Sequence, residues 1–335
     1  MPLHDVGYRV WEGVKSWRLC RWWVVAVVGI QLAFRSSWLS RTLVFSWIPA
    51  IGIGMGFFAY EQSIVNPQLR VGLANLVLLA SGDRGLSQTV LQSPASVRHE
   101  VWSSLVMAFF RYPQAIMMLI VVGIVSPKLV SYDLRNRGYL LYFSRPIRIW
   151  EYMLGKSFIL WFFLAMITTI PALGLYVVGV LLSPQLDVVW LTWDIPLRIL
   201  AASCALMLPT AAVALACSAM TIESRYAAFS WFALWVVGWV SYSILSFGER
   251  MNDLQVRVQM QAGSPRPGRQ LLLGSDFQSR WELLSPYHLL GRVQQWMFGM
   301  YPADREIWPY LLLLVVVTLV SIWFVHRKLR SRLHS

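Results

Sequence analysis

Six long runs of apolar residues constrain this sequence more than any other feature. Each run is about 17 to 25 residues long, and a helix of that length crosses a hydrocarbon core about 30 Å thick. Charged residues make up only 13% of the chain, about half the share usual in a soluble domain. The sequence therefore predicts an all-α, polytopic membrane protein with a single domain. Its predicted spans are residues 43–60, 114–130, 158–182, 199–220, 226–247 and 307–325.

A shorter apolar run, Trp22–Phe34, precedes the first span and is flanked by Arg18, Arg21 and Arg35. A signal peptide would place a small-residue cleavage site after it, but the chain continues RSSWLSR. We expect a helix lying in the membrane interface, anchored by tryptophan and arginine side chains. A true seventh span remains the alternative.

Two polar segments, 61–103 and 248–306, are predicted to be large outer loops that carry amphipathic helices. Ser93-Pro94 and Ser285-Pro286 each resemble a helix start. Apolar residues recur at helical spacing after each of them, which predicts helices lying on the membrane surface. These residues are Val97, Val101 and Leu105 in the first loop and Leu289, Leu290, Val293, Trp296 and Met297 in the second.

Arg111 lies just before the second span, beside Pro113. If the helix begins earlier than residue 114, this arginine lies within the bilayer, where a charge is often functional. We favour the alternative, in which its side chain snorkels to the outer interface.

The distribution of basic residues predicts that both termini are cytoplasmic. The inner segments 1–42, 131–157, 221–225 and 326–335, with Lys128, hold 17 Lys and Arg against five Asp and Glu. The outer segments 61–103, 183–197 and 248–306 hold ten against eleven. An excess of Lys and Arg marks the cytoplasmic side.

The segment 131–157 joins the second and third spans and combines charged, aromatic and helix-breaking residues. Asp133, Arg135 and Arg137 form a charged stretch ended by Gly138, which we expect to stop a helix. A break follows at Ser144-Arg145-Pro146, and from Ile147 the pattern is helical into the third span. The pattern indicates a cytoplasmic docking element joined to the membrane domain by a stiff helix.

The run DLRNRGYLLYFSRPIRIWEYMLGK, residues 133–156, resembles the signature of type-2 export permeases of ATP-binding-cassette (ABC) transporters. The six-span layout, the inner termini and the large outer loop before the last span are also similar to that family. One departure is that Asp133 is the only acid in the charged stretch, where many members carry more glutamate.

The resemblance implies a permease subunit that dimerises and seats this segment, the coupling helix, in a cleft of a separate cytoplasmic ATPase. That partner would bind ATP and Mg²⁺, so no cofactor is expected in this chain. A homodimer, a related heterodimer and an extracytoplasmic partner protein are all compatible with the layout. The residues that the resemblance implies for partner contacts, the bend and anchoring are Asp133, Arg135, Arg137, Gly138, Tyr142, Ser144, Arg145, Pro146, Trp150, Tyr152 and Lys156.

The sequence gives no sign of an ATP site or a metal site in the chain itself. Gly155-Lys156-Ser157 matches the end of a phosphate-binding loop, but the glycine required five residues earlier is Trp150. The histidines and the three cysteines lack metal-ligand spacing. The net charge of +13 follows from the basic inner segments, so we expect no nucleic-acid partner.

We therefore expect a non-enzymatic transport subunit of a bacterial inner membrane that exports an unidentified substrate. One alternative is an anchor or assembly subunit that uses ATPase motion for mechanical work on extracytoplasmic partners. A second alternative, a membrane-embedded transferase, would need polar catalytic residues clustered at one membrane face, and the sequence shows only scattered ones.

Overall fold

The computed structural model describes residues 21–81, 84–138, 142, 147–183, 187–262, 280–301 and 306–333, and all regular structure in these residues is helical. The α-helices are α1 Arg21–Phe34, α2 Ser37–Phe45, α3 Ile48–Val65, α4 Arg70–Ser81, α5 Arg84–Gln92, α6 Arg98–Phe109, α7 Ala115–Val125, α8 Ser131–Arg135, α9 Ile149–Ile167, α10 Thr169–Leu182, α11 Val188–Thr192, α12 Asp194–Met220, α13 Ser224–Ala262, α14 Pro286–Met297 and α15 Trp308–Leu333. Short 3₁₀ helices cover Pro67–Leu69, Pro94–Val97, Ser126–Lys128 and Arg280–Leu284, and a π-helical turn covers Phe110–Gln114.

Among the described residues, six helical stretches are long and apolar enough to cross a membrane. They confirm an all-α, multi-pass membrane protein with six helices long enough to span, each of which overlaps a predicted span. A helix satisfies its own backbone hydrogen bonds, which is what the hydrocarbon phase demands. The stretches are Ser37–Val65, Ala115–Arg135, Ile149–Leu182, Val188–Met220, Ser224–Glu249 and Trp308–Arg332.

Pro171 and Pro209, two of the prolines inside spans, have different local effects. The third span is interrupted at Thr168, between α9 and α10, because Pro171 has no N–H to donate to the carbonyl four residues earlier. Pro209 lies within α12, which is assigned as one helix from Asp194 to Met220.

The second span continues from a helix that is buried inside the bundle. α6, the π-helical turn and α7 follow one another without a gap from Arg98 to Val125. Val101 through Phe109 are all buried in α6, so this helix does not lie on a membrane surface as its spacing had suggested. The wide turn at 110–114 accommodates Pro113, which donates no backbone hydrogen bond.

α1 packs lengthwise against the first half of the third span. Gly155 of α9 lies so close to α1 that a Cβ there would be 2.8 Å from both the Trp22 carbonyl oxygen and the Val25 Cβ. Gly29 allows a similar approach by Ile159. With 14 residues, α1 is about 21 Å long, which is shorter than the hydrocarbon core. The membrane-interface position of α1 stays a prediction.

α14 begins at Pro286, as the Ser285-Pro286 signal predicted, and its apolar stripe faces the protein. Leu289 and Val293 are buried, whereas Trp296 is half exposed. A Cβ on Gly238 of α13 would be 2.7 Å from the Pro286 ring. The start of α14 is therefore wedged against the middle of the fifth span.

Candidate functional site

The described parts of three predicted inner segments, 131–157, 221–225 and 326–335, meet at one end of the bundle. The Ser218 hydroxyl accepts hydrogen bonds from the Val130 and Ser131 N–H groups, both at 3.1 Å. The Trp150 ring stacks on His326 with 4.9 Å between centroids. We call residues 126–138, 147–157, 218–225 and 326–332 the basic end. The packing thus groups three of the four segments that the charge count predicts to be inner.

A buried ion pair joins α8 to α9 at the basic end. The Lys156 ammonium lies 2.8 Å from the Asp133 Oδ2 atom, and their side chains are only 8% and 12% exposed. The Tyr152 hydroxyl donates to the same carboxylate oxygen at 2.7 Å. Tyr152 and Lys156 are four residues apart, so they lie on one face of α9. One carboxylate therefore holds two consecutive turns of the third span.

Tyr142 adds an aromatic wall to this pair. Its ring centroid is 5.3 Å from that of Tyr152, and the Lys156 ammonium lies 5.6 Å and 5.4 Å from the two centroids. Burial raises the pKa of the Tyr142 phenol above its ordinary value of 10.0, and the charge of Asp133 raises it further. Tyr142 is therefore neutral at physiological pH and adds no charge to the pair.

The energetics make this cluster a fixed joint. Removing one partner of a buried ion pair leaves an uncompensated charge, which costs about 3–5 kcal/mol. The hydrogen bond from Tyr152 further restricts the Asp133 carboxylate. α8 is therefore attached to the third span through Asp133 and to the end of α12 through Ser218.

Among the exposed side chains of the basic end, we call Tyr132, Arg135, Arg137 and Trp150 the coupling surface. Tyr132 and Trp150 are each 52% exposed, and both arginines are exposed. Arg135 also pairs with Glu223 at 3.1 Å, but both side chains are about half exposed, so water screens the attraction. The surface presents two cations and two aromatic rings.

Arg137, rather than Gly138, has the left-handed backbone at the end of α8. Its φ is +53°, a conformation that costs an L-residue about 1–2 kcal/mol. The prediction that glycine supplies this turn was wrong. The helix stops at Arg135, two residues earlier than the glycine signal suggested.

The structure thus divides the predicted site residues into two groups. Asp133, Tyr152 and Lys156 contact one another, with Tyr142 beside them, and Gly138 is half buried next to Asp133. Arg135, Arg137 and Trp150 face outward. Ser144, Arg145 and Pro146 lie outside the described residues. Contact with a partner stays a prediction for all of them.

Sequence reasoning missed Ser218 and Ser131, which attach α8 to α12. Ser131 hydrogen-bonds through its hydroxyl to the Pro127 carbonyl and lies 3.2 Å from the Ser224 hydroxyl. Small hydroxyl residues at the ends of neighbouring spans were the available signal, since such residues often join membrane helices.

Arg111 points into the protein instead of snorkelling. Its guanidinium donates to the Tyr287 carbonyl at 2.8 Å and lies 4.1 Å over the Tyr287 ring. Gly291 provides the room, because a Cβ there would overlap the guanidinium. Arg111 therefore attaches α14 to the π-helical turn, and the preferred sequence interpretation was wrong.

Three further ionic clusters, all unpredicted, lie in the segments predicted to be outer, except that Arg198 follows one of them directly. Glu61 accepts hydrogen bonds from Arg98 and Trp102, and Asp194 contacts His99 and Arg198. Glu282 receives two hydrogen bonds from Arg292 at 2.7 and 2.8 Å. Each cluster joins separate helices, so this opposite end of the bundle is also fixed by buried or half-buried charge.

Within the described residues, no three His, Cys, Asp or Glu side chains are placed to hold a metal ion. The basic end presents exposed cations and aromatic rings on a backbone fixed by the Asp133–Lys156 pair. Comparison with known proteins provides no family assignment, because no protein-family model matches the chain and no curated protein sequence matches it significantly.

Proposed function

We propose that this chain is the transmembrane permease subunit of an ABC transporter, and that the coupling surface binds a separate cytoplasmic ATPase. The supporting observation is that different residues of the basic end fix α8 to the bundle and face outward. Asp133, Tyr152 and Lys156 fix α8 to the third span, while Arg135, Arg137 and Trp150 remain exposed. A docking element that transmits force needs both properties, an outward surface and a stiff attachment.

The proposal includes an orientation in the membrane. In this proposal the basic end faces the cytoplasm of a bacterial inner membrane, which places both termini inside. The excess of Lys and Arg in its segments supports that orientation. An ATPase that uses cytoplasmic ATP would then reach the coupling surface.

The mechanism is a population shift between two arrangements of a permease dimer. ATP draws two ATPase subunits together, and their closure favours one arrangement because it contacts the coupling surfaces differently in the two states. Displacement of α8 reaches α9 through the Asp133–Lys156 pair and reaches α12 through Ser218. Hydrolysis in the partner, which holds the ATP and Mg²⁺, resets the dimer and completes export of the substrate.

Charge reversal at the coupling surface tests the proposal. The tagged chain is purified from its native membranes after mild cross-linking, and co-purified nucleotide-binding proteins are identified by mass spectrometry. We expect an ABC ATPase with the natural chain and little or none with the double variant Arg135→Glu, Arg137→Glu, because an exposed cationic surface becomes anionic.

Arg330→Glu is the matched control, since Arg330 is also exposed at the basic end but lies outside the coupling surface. It should retain the ATPase. Recovery of no ATPase by the natural chain, or equal recovery by the double variant, would contradict the proposal. Solute uptake by liposomes that contain the recovered complex then distinguishes an exporter from a mechanical subunit.

A further inference from the structure

A cleft opens sideways from the bundle between α12, α13 and α15, with the start of α14 as its fourth wall. Its volume is about 330 Å³. Trp231 and Thr210 lie at its floor and are 1% and 4% exposed. Leu234, Leu284 and Val317 form the rim and are 42%, 49% and 37% exposed. The cleft therefore reaches from the helix surface to the buried core.

The mouth of the cleft lies near the middle of the membrane-spanning stretches. Leu234 is near the centre of Ser224–Glu249, and Val317 is near the centre of Trp308–Arg332. At that depth the surroundings of the bundle are acyl chains or another apolar protein surface, since the polar headgroups lie at the ends of the spans.

The cleft is lined almost entirely by apolar groups. Two of its polar groups are engaged within the protein: the Thr210 hydroxyl contacts the Met118 sulfur at 3.8 Å, and the Trp231 N–H donates to the Leu119 carbonyl at 3.0 Å. The Trp235 N–H is buried without a hydrogen-bond partner among the described residues. An apolar cavity does not hold ordered water, because water needs two to four polar partners. The lining thus favours a hydrocarbon occupant.

Trp235 separates this cleft from a site of different character. It lines the cleft and also a second cavity of about 10 Å³, whose wall includes Arg111 and Gln294. That volume is close to the space one water requires. The polar groups near Arg111 are therefore gathered in the small cavity, and the larger cleft is left to apolar contacts.

The size of the cleft selects among apolar occupants. One turn of a helix, about 10–12 Å across and 5.4 Å long, occupies about 400–600 Å³, so a helix of a second copy does not fit a space of about 330 Å³. Ligand-sized pockets begin at about 300 Å³, and an unbranched chain fits a narrow cleft of that volume. We propose that the cleft binds one acyl chain of a membrane lipid, which enters between α13 and α15.

Photolabelling in lipid nanodiscs tests this inference, which does not depend on the proposed transport function. The full-length protein is embedded in phosphatidylcholine that carries a photoreactive diazirine near the end of one acyl chain. A parallel sample carries the diazirine on the headgroup. We expect chain-diazirine adducts on floor residues such as Trp231 and Leu289, and no headgroup adducts there.

Filling the cleft should abolish the floor adducts. Leu313 lines the cleft, so Leu313→Trp is expected to remove most of the floor labelling while surface labelling at Phe229, which is 72% exposed, persists. Leu312→Trp is the matched control, because its neighbouring side chain is 66% exposed and lies outside the cleft. Val213→Trp fills the cleft from the opposite wall and substitutes for Leu313→Trp if that variant does not fold.

The labelling patterns of the natural protein and of the filling variants decide whether the inference holds. Adducts at exposed positions such as Phe229 with an unlabelled floor would overturn it, as would floor labelling that survives both filling variants. Cross-links between two copies through cysteines at Leu234 and Val317, together with an unlabelled floor, would assign the mouth to a protein interface instead.

Discussion

Asp133 shows why a buried charge has to be interpreted with its partner. The sequence gives a lone acid in a basic stretch, and the resemblance placed it against another subunit. In the structure its carboxylate contacts Lys156 and Tyr152 within the same chain. In the proposed function, Asp133 would affect docking by positioning the coupling surface, without itself touching the partner.

The first prediction concerns this pair. Asp133→Asn should lower the free energy of unfolding by about 3–5 kcal/mol, because it leaves the Lys156 ammonium buried without its counter-charge. The double variant Asp133→Leu, Lys156→Met should retain most of the stability, since it removes both charges together. Thermal unfolding in detergent ranks the stability of the natural protein, Asp133→Asn and the double variant.

Glu223→Gln is the control for that series. It breaks the exposed Arg135–Glu223 pair, and we expect a loss below about 1 kcal/mol because both groups are solvated. If Asp133→Asn costs no more than Glu223→Gln, the buried joint does not stabilise the basic end as inferred.

The sequence could not have predicted these pairings. His99 and Asp194 are 95 positions apart, and Asp133 and Tyr152 are 19 apart. Which acidic side chain pairs with which basic one depends on how the helices pack against one another. A single sequence does not show which helices are neighbours. The interpretation of Arg111 failed for the same reason, because α14 supplies its partner Tyr287 from 176 positions away.

At the scale of elements, helix length was predictable and helix placement was not. Apolar runs had to become spans because of their length. The spacing of Val97, Val101 and Leu105 correctly predicts a helix, yet α6 is buried on nearly every side. Periodicity locates one apolar face and does not reveal a second layer of protein that covers the other.

The second prediction tests the packing of α1 on the third span. Gly155→Leu should force α1 away from α9, because even a Cβ at position 155 would be 2.8 Å from the Trp22 carbonyl oxygen. Overpacking of this kind costs about 1–3 kcal/mol. Hydrogen–deuterium exchange should become faster in α1 while the exchange of α12 stays unchanged.

Gly52→Leu supplies the comparison, since nothing lies within 4 Å of a Cβ at Gly52. It also replaces a glycine by leucine within a span, but at a position that does not contact α1. Hydrogen–deuterium exchange in α1 should remain as in the natural protein. Equal exchange in the two variants would show that α1 is not held by the Gly155 contact.

At the scale of the whole molecule, α12 connects the two ends of the bundle. Near the last turn of α12, the Ser218 hydroxyl accepts a hydrogen bond from the Ser131 N–H at the start of α8. Near its first turn, Arg198 donates a hydrogen bond to Asp194, which also contacts His99. The helix is continuous from Asp194 to Met220. A change at the coupling surface therefore has a direct structural route to the clusters at the opposite end.

The third prediction concerns orientation, on which the proposed function depends. Arg330→Cys and Trp190→Cys are made separately in a chain whose Cys20, Cys204 and Cys217 are replaced by alanine. Position 330 is exposed at the basic end, and Trp190 is 83% exposed near the Asp194 cluster. A membrane-impermeant maleimide should label position 190 in intact spheroplasts and label position 330 only after lysis. The excess of Lys and Arg at the basic end sets this expectation. Labelling of position 330 in intact cells would place the coupling surface outside, where no cytoplasmic ATPase reaches it, and the transport proposal would fail while the acyl-chain cleft would remain.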